Sequence, residues 1–415
     1  MVRLLSSAFA LLALLAGAVF ISGGWGSRQA PEVRTSLSVS QILGGVPDAS
    51  FARALQPRAF RFPEDHGPHP DFRSEWWYLT GNLSGPDGDL YGFQLTIFRS
   101  ALRPPEDEAA GSALGVSSAW RADQVYMGHL ALTDTENGDF HAFERFSRGA
   151  GGLAGASAQP FRVWLEDWEI AGPVGEANDI FPLHLRAVEN HVGVSLTLNP
   201  AKALVLQGEQ GLSQKGPEPG NASYYYSFTR LEATGEIMLG SEVTRVKGLA
   251  WMDREWSTSA LSPGQVGWDW FALQLDDGSD LMYYQLRLED GSPHPLSKGI
   301  LVASSGEDSV LNHSEVQLKV LDRWKSPLDG SEYPSGWHLS VASEGLVLTL
   351  TPVLPDQELN LTFRYWEGAV RVAGTRRGRA IGGRGYVELT GYTDSSNRGR
   401  SGRLFRSSTP SQENP

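Results

Sequence analysis

Two stretches of this chain set carboxyl groups among indoles. The first is Glu75-Trp76-Trp77-Tyr78. The second carries four Trp between residues 251 and 270 (Trp251, Trp256, Trp268, Trp270), with Asp253, Arg254 and Glu255 between the first two. A carboxyl beside apolar rings loses solvation, which raises its proton affinity and suits it to general-acid work. Indoles offer a large contact area with one polar handle, so a wall of them fits an apolar, polyunsaturated or ring-bearing ligand. Asp253, Glu255 and Glu75 are therefore the candidate acids. Trp76, Trp77, Tyr78, Arg254, Trp256, Trp268 and Trp270 are the candidate ligand wall. Strand alternation sends Glu75 and Trp77 to one face and Trp76 and Tyr78 to the other; Trp268 and Trp270 share a face. The same residues also read as barrel core, with Arg254 salt-linked to an acid and Glu75 paired with Arg73 or Arg99.

Other residues leave their alternatives open. Tyr224 and Tyr226 share a strand face and line a cavity mouth or belt a sheet. His66, His69 and Asp71 offer three donor side chains around Gly67-Pro68. They read as metal ligands, as turn hydrogen bonds or as a pocket rim; with no fourth ligand evident, no metal is expected. His129 reads as a satisfied core imidazole, and His184 and His191 as surface residues.

Composition removes whole classes of chemistry. The 415 residues are 40% apolar and 20% charged and include no cysteine, so disulfides, thiolate metal sites and a Cys nucleophile are excluded. There is no G-x-S-x-G elbow, no phosphate-binding G-x-x-x-x-G-K-[ST] loop and no H-E-x-x-H. No cofactor is expected. The net charge of −13 repels phosphate backbones, so nucleic acid is not an expected partner; only residues 371–406, with nine Arg, are locally basic.

The elements that must position these residues are strands. Leu4–Ile21 is uncharged, follows Arg3 and contains Ala16-Gly17-Ala18, so residues 1–24 read as a signal peptide or a membrane anchor. Either way the body is expected outside the cytoplasm, periplasmic or extracellular, with membrane association through this segment. A lead over 25–61 follows. Glu75–Leu83 and Leu90–Ser100 flank a Gly-Pro-Asp-Gly turn as a hairpin, and Tyr91, Phe93, Leu95 and Ile97 fall on one face at period two. GWDWFALQL-DDGS-DLMYYQLRL is the clearest hairpin. Strands at roughly even spacing continue to Tyr392, and no stretch keeps a helical period for three turns. This is an all-β pattern of antiparallel barrels or sandwiches in two halves, 62–246 and 247–396, with a tail over 397–415. Phe161–Ala171 reads as one strand, and Ser223–Ala233 and Glu236–Leu239 as two.

The motifs HPDFRSEWWYLTGNL, QVYMGHLALTD, GLAWMDREWSTSALSPGQVGWDWFALQLDDG, DQELNLTFRYWEGAVRVAGTRRGR and GRGYVELTGY resemble the AttH/CrtC family of lipocalin-like proteins, from about His66 to Tyr392. The resemblance implies two lipocalin-like β-barrel domains in tandem. That family includes proteins labelled secreted hydrolases and the carotenoid 1,2-hydratases, which add water across an isolated double bond without a redox cofactor. It also implies a second-half motif similar to D-H-N-W. Here Asp253 and Trp256 match, Arg254 stands at the His position, Tyr283 takes an aromatic position on the following strand, and Gln285 stands where an acid is expected. Three functions follow as expectations: an exported binder of an apolar, isoprenoid or lipid molecule; a hydratase or hydrolase acting on such a molecule; or a structural partner of a membrane export system.

Overall fold

A computed structural model describes residues 50–104, 123–175, 179–259 and 261–393. The expected signal or anchor over 1–24 and the tail over 397–415 lie outside the described residues.

Described residues form two antiparallel sheets. The first begins with β1 (Ser74–Ser84), β2 (Leu90–Ala101), β3 (Gln124–Asp134) and β4 (Asp139–Arg148). It continues with β5 (Ala154–Ala158), β6 (Phe161–Leu165), β7 (Trp168–Ala171), β8 (Leu183–Glu189) and β9 (Val192–Pro200). It closes with β10 (Val205–Leu206), β11 (Leu212–Gln214), β12 (Ala222–Leu239) and β13 (Glu242–Ser257). The strand order is β4-β3-β2-β1-β13-β12-β9-β8-β7-β6-β5, with β10 and β11 on β12. The second sheet holds β14 (Gln265–Leu275), β15 (Asp280–Leu288), β16 (Lys298–Val302), β17 (Asp308–Asn312) and β18 (Val316–Lys325). Its later strands are β19 (Glu332–Val341), β20 (Leu346–Pro352), β21 (Glu358–Asn360), β22 (Arg364–Arg376) and β23 (Arg379–Leu389). Their order is β17-β16-β15-β14-β23-β22-β20-β19-β18. The protein is all-β, two barrel-like lipocalin-like sheets in tandem, as the sequence pattern implied.

Period two builds both cores. Trp77, Leu79, Phe93, Leu95 and Ile97 turn into the first sheet with Leu183, Leu185 and Trp256. Phe271, Leu273, Trp337, Leu348 and Trp366 fill the second. The opposite faces of β1, β12, β13, β14 and β15 are also apolar, because the two sheets pack on each other there: Tyr78, Tyr225, Trp251, Trp270, Met282 and Tyr284 share one buried cluster. Asp280 pins this seam. Its carboxylate takes Arg230 at 2.7 Å, Lys202 at 2.7 Å and the Thr229 hydroxyl at 2.9 Å.

Three expected elements differ. Phe161–Ala171 is a hairpin rather than one strand, because Glu166 takes φ 58° and turns the chain between β6 and β7. Ser223–Leu239 stays a single strand through Gly235. A Cβ there would lie 2.1 Å from the Ser195 carbonyl oxygen, so glycine permits the close approach instead of ending the strand. The Gly248–Ser257 signature is the last strand of the first sheet, directly beside β1, and the second sheet starts at Gln265. The two polar-aromatic signatures are thus neighbours in one sheet.

Candidate functional site

That neighbouring register builds the site. In antiparallel pairs, opposed residues share a face. Register carries one row across the first sheet through Phe146, Met127, Phe98, Trp76, Glu255 and Tyr225. A second row runs through Glu144, His129, Thr96, Tyr78, Asp253 and Ser227. The second sheet faces these rows with Tyr284, Trp270, Glu388 and Glu367, again register partners in sequence. Between the sheets lies a cavity of about 430 Å³, lined mostly by apolar atoms.

Five carboxyl groups border this cavity, Glu75 and, facing into it, Asp253, Glu255, Glu367 and Glu388. Asp253 accepts from Tyr225 Oη at 2.5 Å, Ser227 Oγ at 2.5 Å and Trp251 Nε1 at 2.7 Å. Burial outweighs these bonds and pushes its carboxyl up to about 7. Glu255 accepts the Ser223 hydroxyl and lies 3.3 Å from Lys215 Nζ, whose ammonium sits 4.1 Å from the centre of the Tyr284 ring. Glu367 and Glu388 stand opposite each other on β22 and β23. Burial raises both; the charge of Glu388 raises Glu367 further, those of Asp253 and Glu255 raise Glu388, and the hydrogen bond from Tyr78 to Glu367 does not offset it. Two carboxyls so close retain a proton between them where an isolated one would be ionised.

Glu75 also borders the cavity, but its carboxylate is engaged below the floor. Burial disfavours its charge, yet the guanidiniums of Arg254 and Arg99, with His69, hold it well below the usual carboxylate range. Arg254 points into the first sheet, 4.0 Å over Trp77 and 5.1 Å over Trp256, and also donates to the Gly67 carbonyl at 2.6 Å. His69 stacks on Trp256 at 3.7 Å between Asp65 and Glu75. His66 meets the Tyr226 hydroxyl at 2.6 Å, and Asp71 is exposed. These groups join the 52–72 segment to the interior of the first sheet.

Of the residues singled out in the sequence, the structure brings Asp253, Glu255, Glu75, Trp76, Tyr78, Trp268 and Trp270 to one cavity. Trp77, Arg254, Trp256, Tyr224 and Tyr226 lie on the other face, inside the first sheet. Tyr283 packs inside the second, and Gln285, two residues on, shares its face; the adjacent Tyr284 is the ring at the cavity. Sequence reasoning missed Glu367, Glu388, Tyr365 and Lys215. Tyr365-x-Glu367 and Tyr386-x-Glu388 each place the one acid of a strand two residues after a Tyr, and that was the available signal. His129 is buried with both ring nitrogens bonded, and His184 and His191 are exposed.

Comparison with known proteins agrees with this architecture. The family model described as AttH-like matches residues 53–392. Kievitone hydratase of Fusarium solani subsp. phaseoli is 23% identical over 221 residues, covering 51% of this chain and 61% of that protein. The chain thus spans about three-fifths of that relative's length. The crystal structure of an AttH protein from Nitrosomonas europaea superposes with a TM-score of 0.70 at 35% identity, covering 82% of this chain and all of that one. The crystal structure of kievitone hydratase from Nectria haematococca shares the fold, with a TM-score of 0.62 at 15% identity over 82% of this chain and 96% of that one. The chain belongs to the AttH-like family.

Proposed function

We propose that this protein is a hydratase that adds water to an isolated carbon–carbon double bond of an apolar or isoprenoid-like molecule lodged between the two sheets. One observation carries the reading: buried carboxyl groups, whose proton affinity burial raises, stand at the wall of an aromatic, largely apolar cavity. A carrier needs the hollow alone, and buried carboxyls without ion-pair partners weaken its fold. The relationship to a kievitone hydratase supports the same class of reaction.

The steps balance without an oxidant or reductant. The Glu367 carboxyl gives its proton to one alkene carbon as the π pair forms the new C–H bond. The other carbon becomes a cation beside the faces of Trp76, Trp268 and Trp270. Water attacks it, forming the C–O bond, and its surplus proton passes to the carboxylate of Glu388. Transfer from Glu388 to its strand neighbour Glu367 restores the start. Glu75 is ion-paired as a carboxylate and has no proton to give.

The wall orients the guest. From β4 to β12 the floor crosses five strand spacings, about 24 Å at the usual separation. Phe146, Met127 and Phe98 make one end greasy; Ser223, Glu255 and Lys215 make the other polar. An amphipathic guest would lie tail toward β4.

Acyclic isoprenoids of graded length, incubated with the protein in ¹⁸O-water, test this by mass spectrometry. The wild type should yield an ¹⁸O alcohol. Glu367→Gln should lower turnover at least about 100-fold, with ligand affinity changed by less than about 1–2 kcal/mol. Tight binding with no alcohol from the wild type would overturn the hydratase reading in favour of a carrier.

A further inference from the structure

The polar end of the cavity is fixed by both sheets. Lys215 sits between β11 and β12, where its backbone N–H donates to the Asn221 carbonyl at 2.9 Å and its carbonyl accepts the Gln265 side chain of β14 at 2.8 Å. Its side chain lines the cavity. The ammonium lies 4.1 Å from the centre of the Tyr284 ring and 5.3 Å from that of Tyr225, and such ring faces favour a cation. Nζ is also 3.3 Å from Glu255 Oε1, the oxygen that accepts the Ser223 hydroxyl.

An ammonium and a carboxylate closed on each other carry no net charge. A second carboxylate brought to this end would meet Glu255, and a second ammonium would meet Lys215, in surroundings that screen little. An ammonium has three N–H groups, and a carboxylate has about four acceptor sites. The pair and Ser223 use only part of that capacity, so a donor and an acceptor remain side by side. A hydroxyl uses both at once: it accepts from Lys215 and donates to Glu255.

We propose that Lys215 and Glu255 form the head-group site of this cavity, selecting a neutral hydroxyl over an anionic or a cationic head. The guest is then an amphipathic alcohol with its apolar tail toward β4. Tyr78, which donates to Glu367, is the diagonal neighbour of Glu255 across β1 and β13, on the same face. Diagonal neighbours stand about 7–8 Å apart. The reacting double bond therefore lies in the part of the molecule next to the hydroxyl, and the tail beyond it is an anchor. That placement rests on the hydratase reading; the head-group site does not.

Calorimetric titration of the full-length protein with four saturated probes reads the test: decan-1-ol, its methyl ether, decanoate and decylammonium. None has a double bond, so none can be hydrated. The wild type should bind the alcohol at least about 10-fold more tightly than each of the others, the worth of one hydrogen bond to a charged group. Glu255→Gln leaves the Lys215 charge without its partner, and decanoate should then bind at least about 10-fold more tightly than it does to the wild type. Lys215→Met leaves the Glu255 charge alone, and decylammonium should gain likewise. Opposite responses from two probes that share one tail do not arise from a general loosening of the fold. A wild type that binds the ether or either ion as tightly as the alcohol overturns the proposal, and so do folded variants that keep the wild-type order of probes. Should neither variant fold, the wild-type order decides alone. A preference for the alcohol with no hydration of any unsaturated alcohol keeps the head-group site and removes the hydratase reading; hydration by a protein indifferent to the head does the reverse.

Discussion

Asp253→Asn should flatten the pH dependence of stability. In the unfolded chain an Asp keeps its proton only below its ordinary value of 3.8, whereas buried Asp253 keeps it up to about 7. Between those values the folded state binds more protons, so stability falls as pH rises. From pH 5 to pH 8 the difference amounts to about two units of proton binding at about 1.4 kcal/mol each, or about 2.5–3 kcal/mol lost by the wild type on this account. Asn cannot ionise and loses nothing by this route. Its geometry is compatible with the site. Trp251 and Ser227 both donate to Oδ1, which Asn retains, and the Tyr225 hydroxyl can turn to accept from the amide at the other position. Removing the charge also eases ionisation of Glu388, which acts in the same direction. Urea unfolding of both proteins at pH 5, 6, 7 and 8 measures the effect. The variant should gain about 2.5 kcal/mol or more on the wild type across that range, whatever the offset at pH 5. Parallel curves would show that Asp253 is ionised throughout, and the acid wall would lose one of its members.

The ion-paired carboxylates should behave in the opposite sense. Glu75→Gln leaves Arg99 and Arg254 buried without their shared counter-charge and should cost about 3–5 kcal/mol, read from the urea midpoint. Because the Glu75 carboxyl is held below its ordinary 4.5, the stability it confers is complete above that pH and is lost on acidification; Glu75→Gln should therefore weaken acid sensitivity. Asp280→Ala strands Arg230 and Lys202 at the seam between the sheets, with an expected loss of about 3–5 kcal/mol by the same measurement, while Asp277→Ala at the neighbouring turn, half-exposed, should cost under about 1 kcal/mol.

Alternation made much of this legible in advance. It placed Trp76 and Tyr78 opposite Trp77, and Trp268 with Trp270, because period two is a local property of a strand. It did not reveal which face met the other sheet. Arg254 and Trp256 looked like part of the wall because they sit beside Asp253 and Glu255 in sequence, yet adjacency in a strand means opposite faces once the strand runs through to Ser257. Glu367 and Glu388 could not be paired from the sequence, since their meeting depends on the register of β22 with β23. Lys215 lies in the segment linking β11 and β12, where no period constrains a side chain.

The interiors of both sheets explain why chemistry would be carried at the seam. A barrel of this kind can hold a guest in its centre. Here the first centre is packed with Trp77, Trp256 and the Glu75–Arg254–Arg99 ion cluster, and the second with Trp337, Trp366 and Tyr333. The outer faces of the same strands meet instead, and their side chains answer to two sheets at once. Each acid in the cavity is therefore buried by the partner sheet rather than by its own. Trp270 of the second sheet donates at 3.3 Å to the Tyr225 hydroxyl that bonds Asp253, and Glu367 accepts the hydroxyl of Tyr78 from the first sheet. Loosening the seam would admit water and lower the proton affinity of all these carboxyls together. Asp280→Ala should thus carry a second signature besides lost stability: the pH midpoint of the protonated-carboxyl infrared band that Glu367→Gln removes should fall, although Asp280 does not touch that group. An unmoved midpoint in a folded Asp280→Ala protein would mean that each acid is desolvated by its immediate neighbours alone.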